Sequence, residues 1–218
     1  MRFLITAGPT REPIDPVRYI SNRSSGKMGY AIAEAAIEVG HDVVLISGPV
    51  KLDPPPAAKL ISVSTSDEMF DAVHRHVRDC DVLVMCAAVA DYKPAKVSKH
   101  KTKKRDEKLS LELTPTRDIL ASLAKQDRQV LVVGFAAETE NLQENAQNKL
   151  RAKNCNIIVA NDISGSNSGM ESDENEVMIF FRSGEIKEIS RASKKIIARE
   201  LVKLFANMHE NCLTKKMS

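Results

Sequence analysis

The chain opens on Arg2-Phe3-Leu4-Ile5-Thr6-Ala7, passes through a stretch rich in Gly, Pro, Ser and Asn over residues 8–25, and resumes with Gly26-Lys27-Met28-Gly29-Tyr30-Ala31-Ile32-Ala33-Glu34-Ala35-Ala36-Ile37-Glu38-Val39-Gly40. The first run is continuous and apolar, as a strand buried on both faces requires. In the last, Met28, Ala31, Ile32, Ala35, Ala36 and Val39 recur at helical spacing. Ser24 or Ser25 is placed to cap that helix, and Gly40 to end it. Asp42-Val43-Val44-Leu45-Ile46-Ser47 follows at once as a second continuous strand. Strand, loop, helix, strand predicts an α/β fold built on a parallel sheet.

The rest of the chain keeps that rhythm. Pro54-Pro55-Pro56 is a surface connection, and Thr65-x-x-Glu68 is a capping box before a helix at 66–78 that buries Met69, Phe70, Val73 and Val77. Then come a strand at 81–86, a basic loop, a short alternating strand at 109–113 and a helix near 117–125. A strand at 130–135, a helix at 138–153 and a strand at 156–160 follow. Segments 176–182 and 186–189 flank Ser183-Gly184, a hairpin signal. A helix at 191–207 and a polar tail over 209–218 finish the chain. The expectation is one domain over 1–208, with a largely parallel mixed sheet and a C-terminal antiparallel hairpin. Ligands of open α/β sheets bind outside the carboxyl ends of the strands. That rule points to residues 7–29, 87–108, 135–140 and 161–175.

Composition narrows the function classes. With 218 residues, 43% hydrophobic and 28% charged, the chain has room for a full core. Trp is absent and aromatics make up only 4%, which argues against stacking platforms for single-stranded nucleic acid. No apolar run reaches the ~20 residues of a membrane span, and no signal-peptide pattern opens the chain. A cytoplasmic address is therefore expected. Cys80, Cys86, Cys155 and Cys212 form no C-x-x-C pair; Cys86 and Cys155 sit in apolar runs and read as small buried hydrophobes. His74 and His76 are two apart and diverge on a helix, against a zinc site. The net charge of +3 is local: residues 93–108 hold eight bases and two acids, leaving 24 bases and 27 acids elsewhere. One basic loop fits a local anion site better than a nucleic-acid face.

Three loops carry candidate chemistry. Ser21-Asn22-Arg23-Ser24-Ser25-Gly26-Lys27-Met28-Gly29 joins hydroxyls, a glycine and a helix start, a cradle for phosphate or carboxylate. It is not a P-loop, because Ser21 stands where the first Gly belongs and Met28 follows the Lys; the bland reading is a capped helix after a long loop. The second, Ala87-Ala88-Val89-Ala90-Asp91-Tyr92-Lys93-Pro94, leads to Lys99-His100-Lys101-Thr102-Lys103-Lys104-Arg105, which reads as a polyphosphate clamp or as a solvated charge run. Tyr92 and Lys96 mimic a dehydrogenase pair, but Pro94 between them breaks the helix that pair needs. In the third, Gly134-Phe135-Ala136-Ala137-Glu138-Thr139 enters a helix on which Lys149 and Lys153 share the stripe of Leu142. Two lysines four apart repel by about 0.2–0.5 kcal/mol, which asks for a shared anion; dipole complementarity explains them equally well.

Taken together, residues 6–29, Ala87-Ala88-Val89-Ala90-Asp91-Tyr92, Gly134-Phe135-Ala136-Ala137-Glu138-Thr139 and Ala160-Asn161-Asp162 resemble, in order, the motifs of phosphopantothenoylcysteine synthetases (phosphopantothenate–cysteine ligases). The resemblance spans about residues 3–190 and implies a three-layer Rossmann-like fold. It implies that 4′-phosphopantothenate and L-cysteine are joined through an acyl-nucleotidyl intermediate. CTP with Mg²⁺ is the expected co-substrate, ATP the alternative; a nicotinamide-dependent oxidoreductase on a similar sheet is the more distant rival and lacks its glycine fingerprint. By resemblance Asn22 holds the intermediate and Lys101 closes on it. Met85, Cys86, Ala87, Asp91, Lys101, Arg117, Asp118, Ile119, Leu120, Phe135, Lys149 and Lys153 match nucleotide-binding positions. Ser24, Ser25 and Gly26 are expected with Asn22 at the substrate; the metal-binding groups are not identified. The lysine motif carries Thr102 where the family usually has an aliphatic residue. Most bacterial members are fused behind a flavin-dependent decarboxylase. This chain starts at the synthetase strand, so the expectation is ligation without decarboxylation and without flavin. The resemblance also implies a homodimer; composition and the confinement of charge to one loop leave no nucleic-acid or membrane partner expected.

Overall fold

Alternation of side chains along the first strand places Phe3, Ile5 and Ala7 in one apolar cluster and Leu4 in another on the opposite face. The computed structural model describes residues 1–104, 108–124, 130–138, 140–162 and 171–217, with backbone alone for Glu138, Asp162 and 212–217. Its elements are β1 (Arg2–Ala7), β2 (Arg11–Pro13), β3 (Tyr19–Ser21), α1 (Lys27–Glu38), β4 (Asp42–Ser47), β5 (Lys59–Ser62), α2 (Ser66–His76), β6 (Val82–Met85), β7 (Tyr92–Pro94), β8 (Leu113–Pro115), α3 (Ile119–Ala124), β9 (Leu131–Glu138), α4 (Leu142–Ala152), β10 (Ile157–Asp162), β11 (Glu174–Phe181), β12 (Ile186–Ser193) and α5 (Lys194–Met217).

Eight strands form one sheet in the order β12-β11-β10-β9-β6-β1-β4-β5. The six from β10 to β5 run parallel, and β11 and β12 add an antiparallel edge. Helices α1 and α5 cover one face over Phe3, Ile5, Leu45 and Val84. Helices α2, α3 and α4 cover the other over Leu4, Ile46, Leu83 and Ile158. Each fully buried Ile, Leu or Phe contributes about 1.5–3 kcal/mol. The expected three-layer Rossmann-like α/β fold is therefore present. From β1 the chain winds outward through β4 and β5, then returns to β6 on the other side of β1. The strand order reverses there, and a crevice opens at the carboxyl ends of β1 and β6.

Several local expectations are corrected. The cap of α1 is Gly26 at φ 78°, with no side-chain cap bond. Ser24 and Ser25 sit just ahead of it, because a Cβ at position 26 would lie 2.8 Å from Val50 Cγ1 in a left-handed conformation. Residues 109–112 form no strand: Leu109 and Leu111 are exposed, and only Leu113 pairs, with Pro94. The helix expected from 138 begins at Leu142, because Ala136, Ala137 and Glu138 stay in the β9–β10 ladder despite their helix propensity. Ala192 and Ser193 likewise stay in β12, paired with Asn175 and Glu174, so α5 starts at Lys194 and runs on over the stretch read as a tail. Strand β5 and the small β2–β3 and β7–β8 ladders had no expected counterpart. Arg105, Lys125, Thr139 and 163–170 of the expected loops lie outside the described residues. Among the described residues, no helix is long and apolar enough to cross a membrane.

Candidate active site

Beyond the sheet, the chains leaving β1 and β6 stay zipped together. The Ala88 N–H donates to Gly8 O at 2.9 Å and the Thr10 N–H to Ala88 O at 3.2 Å. The Thr6 hydroxyl accepts from the Ala87 N–H (3.1 Å), and the Thr10 hydroxyl from the Ala90 N–H (3.0 Å). Thr116 closes the far side by donating to Ala90 O at 2.6 Å. The small residues Ala87–Ala90 thus present a fixed strand end that leaves room for a ligand at the backbone.

Asn22 is built into this zipper. Its Nδ2 donates to Ala88 O at 2.6 Å, and its Oδ1 accepts from the Ser24 N–H at 3.0 Å. These two bonds orient the amide and fold the turn that delivers Ser24, Ser25 and Gly26 to the start of α1. One Nδ2 hydrogen remains beyond the bond to Ala88.

Among the described residues, two adjoining cavities open into the crevice. The first, of about 320 Å³, is lined by Ser24–Gly29, Cys86–Val89, Asp91, Phe135, Lys149, Asn161, Asn175 and Lys194. The second, of about 340 Å³, is lined by Met85, Ala87, Asp91, Arg117–Leu120, Phe135, Lys149 and Lys153. Ala87, Val89, Asp91, Phe135 and Lys149 belong to both, so these are compartments of one cleft. The expected substrate serines line the first compartment. The second gathers Met85, Ala87, Asp91, Arg117, Asp118, Ile119, Leu120, Phe135, Lys149 and Lys153, while Cys86 lines the first.

The cations of the cleft are held individually. Lys149 donates to Phe135 O at 2.7 Å. Lys153, at the end of α4, pairs with Asp118, which also accepts the Ala121 N–H at 2.8 Å at the start of α3. Burial pushes the Asp118 carboxyl upward, but those hydrogen bonds outweigh it and hold it below its ordinary value. The Arg117 guanidinium is engaged with α2, at 3.0 Å from Asp67 and 2.9 Å from Asp71, and lies 4.0 Å over the Phe70 ring. Asp67 also pairs with Lys93; that hydrogen bond, with those from Arg117, holds its carboxyl low despite opposing desolvation. Burial pushes the Cys86 thiol up to about 12, with Lys194 opposing, so it is a neutral thiol at neutral pH.

Lys101 is not brought to this cleft. It lines a separate cavity of about 1100 Å³ with Arg18, Ser98, His100, Thr102–Lys104 and Lys108. Lys194, at the β12–α5 junction, is a cleft residue that sequence reasoning missed. It is 6% exposed, and burial, then Lys27, push its amine below the ordinary lysine value. Nothing in its local sequence marks it, because only the sheet's antiparallel edge carries it there. Lys27 reaches Asp173 at 2.7 Å and Glu171 O at 2.9 Å, tying α1 to the start of β11. Among the described residues, no three His, Cys, Asp or Glu side chains gather as a metal cage.

The chain can be set beside known proteins. A family model, the DNA/pantothenate metabolism flavoprotein C-terminal domain, matches residues 1–208. The coenzyme A biosynthesis bifunctional protein CoaBC of Bacillus subtilis (strain 168) is 46% identical over 204 residues, covering 93% of this chain and 50% of that protein. The CoaBC protein of Escherichia coli (strain K12) is 45% identical over 206 residues, with 93% and 50% covered. The chain thus spans about half the length of the curated relatives it matches. A crystal structure of the C-terminal domain of a CoaBC protein superposes with a TM-score of 0.83 at 45% identity, covering 96% of each chain. A Cab2 variant in complex with phosphopantothenate-cysteine shares the fold at TM-score 0.83 and 17% identity, covering 100% of this chain and 89% of that one.

Proposed function

The chain belongs to the DNA/pantothenate metabolism flavoprotein C-terminal domain family, and on that premise we propose that it joins 4′-phosphopantothenate to L-cysteine as a phosphopantothenate–cysteine ligase. In the first step a carboxylate oxygen of the pantothenate attacks the α-phosphorus of a nucleoside triphosphate. The bond from that phosphorus to the bridging oxygen breaks, and pyrophosphate leaves with the electron pair. In the second, the cysteine nitrogen attacks the acyl carbon, the carbon–oxygen bond breaks, and nucleoside monophosphate leaves as the amine loses a proton.

The observation that carries this reading is the two-compartment cleft, with Asn22 hydrogen-bonded to Ala88 of its wall. One compartment, lined by Ser24, Ser25 and the start of α1, suits phosphate. The other offers backbone, Asp118 and two lysines, which suits a nucleotide. A carboxylate attacking a phosphate sets anion against anion, so Lys149, Lys153 and Lys194 matter as screening charges. The spare Nδ2 hydrogen of Asn22 is assigned to the carbonyl oxygen of the acyl intermediate, where a neutral donor stabilises developing charge. Lys101 is assigned to the same intermediate once its loop meets the substrate.

Mg²⁺ usually binds through one or two carboxylates plus substrate phosphates, and the cleft's Asp91 and Asn161 fit a cation that arrives on the triphosphate. Such a cation would neutralise phosphate charge. CTP is the expected nucleotide and ATP the alternative. No flavin enters the reaction. The homodimer expected from the sequence belongs to this reading, supported by the exposed Val17, Tyr19, Tyr92, Leu109, Leu111 and Leu113 around the two small ladders. So does the cytoplasmic address.

The test is product analysis. Protein, 4′-phosphopantothenate, cysteine and Mg²⁺ are incubated with CTP or ATP, and phosphopantothenoylcysteine is sought by mass spectrometry. Product with CTP in excess of ATP is expected; no product with either nucleotide overturns the reading.

A further inference from the structure

Lys101 sits between two backbone anchors. On one side the Ser98 N–H donates to Ile14 O at 2.9 Å. On the other, the Thr102 N–H donates to Asp15 Oδ2 at 3.1 Å, and Arg18 Nη2 donates to Thr102 O at 2.5 Å. Both anchors come from the turn at residues 14–18, in the loop that also carries Asn22.

The carboxylate that makes this link is unusual for its surroundings. Asp15 is 3% exposed in a loop beside a lysine-rich segment. It accepts the Val17 and Arg18 N–H groups at 2.8 and 2.9 Å, and the Arg18 Nε lies 3.7 Å away. Those local bonds, with the Ile14 and Asp15 N–H groups on Arg18 O, already close the turn. The bond to Thr102, 87 residues away, is therefore not needed to fold it. A run of lysines left to itself repels and extends into solvent. Here the peptide units at 98 and 102 are instead gripped on either side of Lys101.

Resting on the ligase reading above, we infer that Asp15 is a positioning residue: with Arg18, it fixes the Thr102 peptide and so sets the place, outside the cleft, from which Lys101 reaches towards the substrate. The carboxylate acts through backbone, which explains why the side chain at 102 is free to be Thr. It also joins the loop that carries Asn22 to the loop that carries Lys101, so the two groups assigned to the acyl intermediate share one support.

The test uses the whole chain. In Asp15→Asn, Oδ1 still accepts the Val17 and Arg18 N–H groups, while Nδ2 turns a donor towards the Thr102 N–H. Limited trypsin digestion reads the grip directly. Cleavage after Lys99, Lys103 or Lys104 is expected to be at least fivefold faster in Asp15→Asn and in Thr102→Pro, which lacks the donor; the bond after Lys101 is compared in Asp15→Asn alone, because trypsin does not cut before proline. Thr102→Val keeps the N–H and should be cut at the wild-type rate. In turnover, Asp15→Asn is expected to lower kcat about tenfold with the KM for cysteine unchanged. An unchanged cleavage rate in both Asp15→Asn and Thr102→Pro overturns the grip. Faster cleavage with unchanged kcat overturns the positioning role. A wild-type protein that makes no product sinks the ligase reading while the cleavage comparison still judges the grip.

Discussion

The side-chain amide of Asn22 donates to the carbonyl of Ala88 at 2.6 Å, a bond between residues 66 positions apart. It couples the loop after β1 to the loop after β6 at the point where the strand order reverses. A carboxamide suits that place: one hydrogen holds Ala88 O, the oxygen folds the turn to Ser24, and the second hydrogen is the one proposed to meet the acyl intermediate.

Asn22→Asp keeps the shape and replaces the donor by a charged acceptor facing a carbonyl. Loss of the bond and exposure of two acceptors to each other are expected to cost about 1–3 kcal/mol in urea denaturation. Ligation should fall by roughly 10²–10³, the scale for removing one oxyanion donor. Full turnover in a folded Asn22→Asp protein contradicts the role.

The Lys153–Asp118 pair bridges α4 and α3 beneath the second compartment. Lys153→Met is expected to raise the KM for nucleotide about tenfold. Its effect on stability should stay within ~1 kcal/mol, since both side chains are 30–46% exposed and solvent screens the pair. Lys149→Met should act the same way on KM. Initial-rate kinetics with varied nucleotide checks both; a kcat effect with unchanged KM would reassign these lysines.

Asp15, Asp67 and Asp118 are all held below the ordinary carboxylate value of 3.8. For Asp15 the leading cause is the Val17 N–H; for Asp67 it is Lys93; for Asp118 burial opposes, and Lys153 with the Ala121 N–H prevails. A depressed folded pKa means the unfolded chain takes up protons first. The stabilisation is therefore complete above about pH 4 and is lost as pH falls through the folded values. Urea midpoints should be insensitive to these groups between pH 7 and 5 and drop below pH 4. Double substitution to Asn at 67 and 118 should flatten that drop.

Burial pushes both Cys80 and Cys86 up to about 12, so neither is a thiolate at pH 8. Iodoacetamide at pH 8, read by peptide mass spectrometry, should leave both unmodified in the native protein. Rapid alkylation of Cys86 would reveal a nucleophile in the cleft and a different chemistry.

Periodicity made the sheet legible. Continuous runs such as Leu4-Ile5 and Val82-Leu83-Val84 can only be buried on both faces, and they are. What periodicity misplaced were boundaries that tertiary partners decide: the strand was expected to stop at 135 and the helix to start at 138, but Ala136–Glu138 pair with β10. Leu109 and Leu111 read as strand, but among the described residues no partner strand reaches them. The cleft residues at strand ends were legible because the carboxyl-end rule and the motifs agree on them. Lys194 was not, because one of several bases in an amphipathic stretch carries no signal until the hairpin edge folds it inward. The position of Lys101 was illegible for a related reason: the next peptide, at Thr102, is bonded to Asp15, which looks like an ordinary turn residue in the sequence.

The most direct measurement is pyrophosphate release on mixing the protein with 4′-phosphopantothenate, Mg²⁺ and CTP, followed in time with and without cysteine. A burst near one pyrophosphate per site is expected without cysteine, because the acyl-nucleotidyl intermediate accumulates. Continuous turnover matching cysteine consumption is expected with it. Absence of pyrophosphate with either CTP or ATP would contradict the assignment of this cleft to a phosphopantothenate–cysteine ligase.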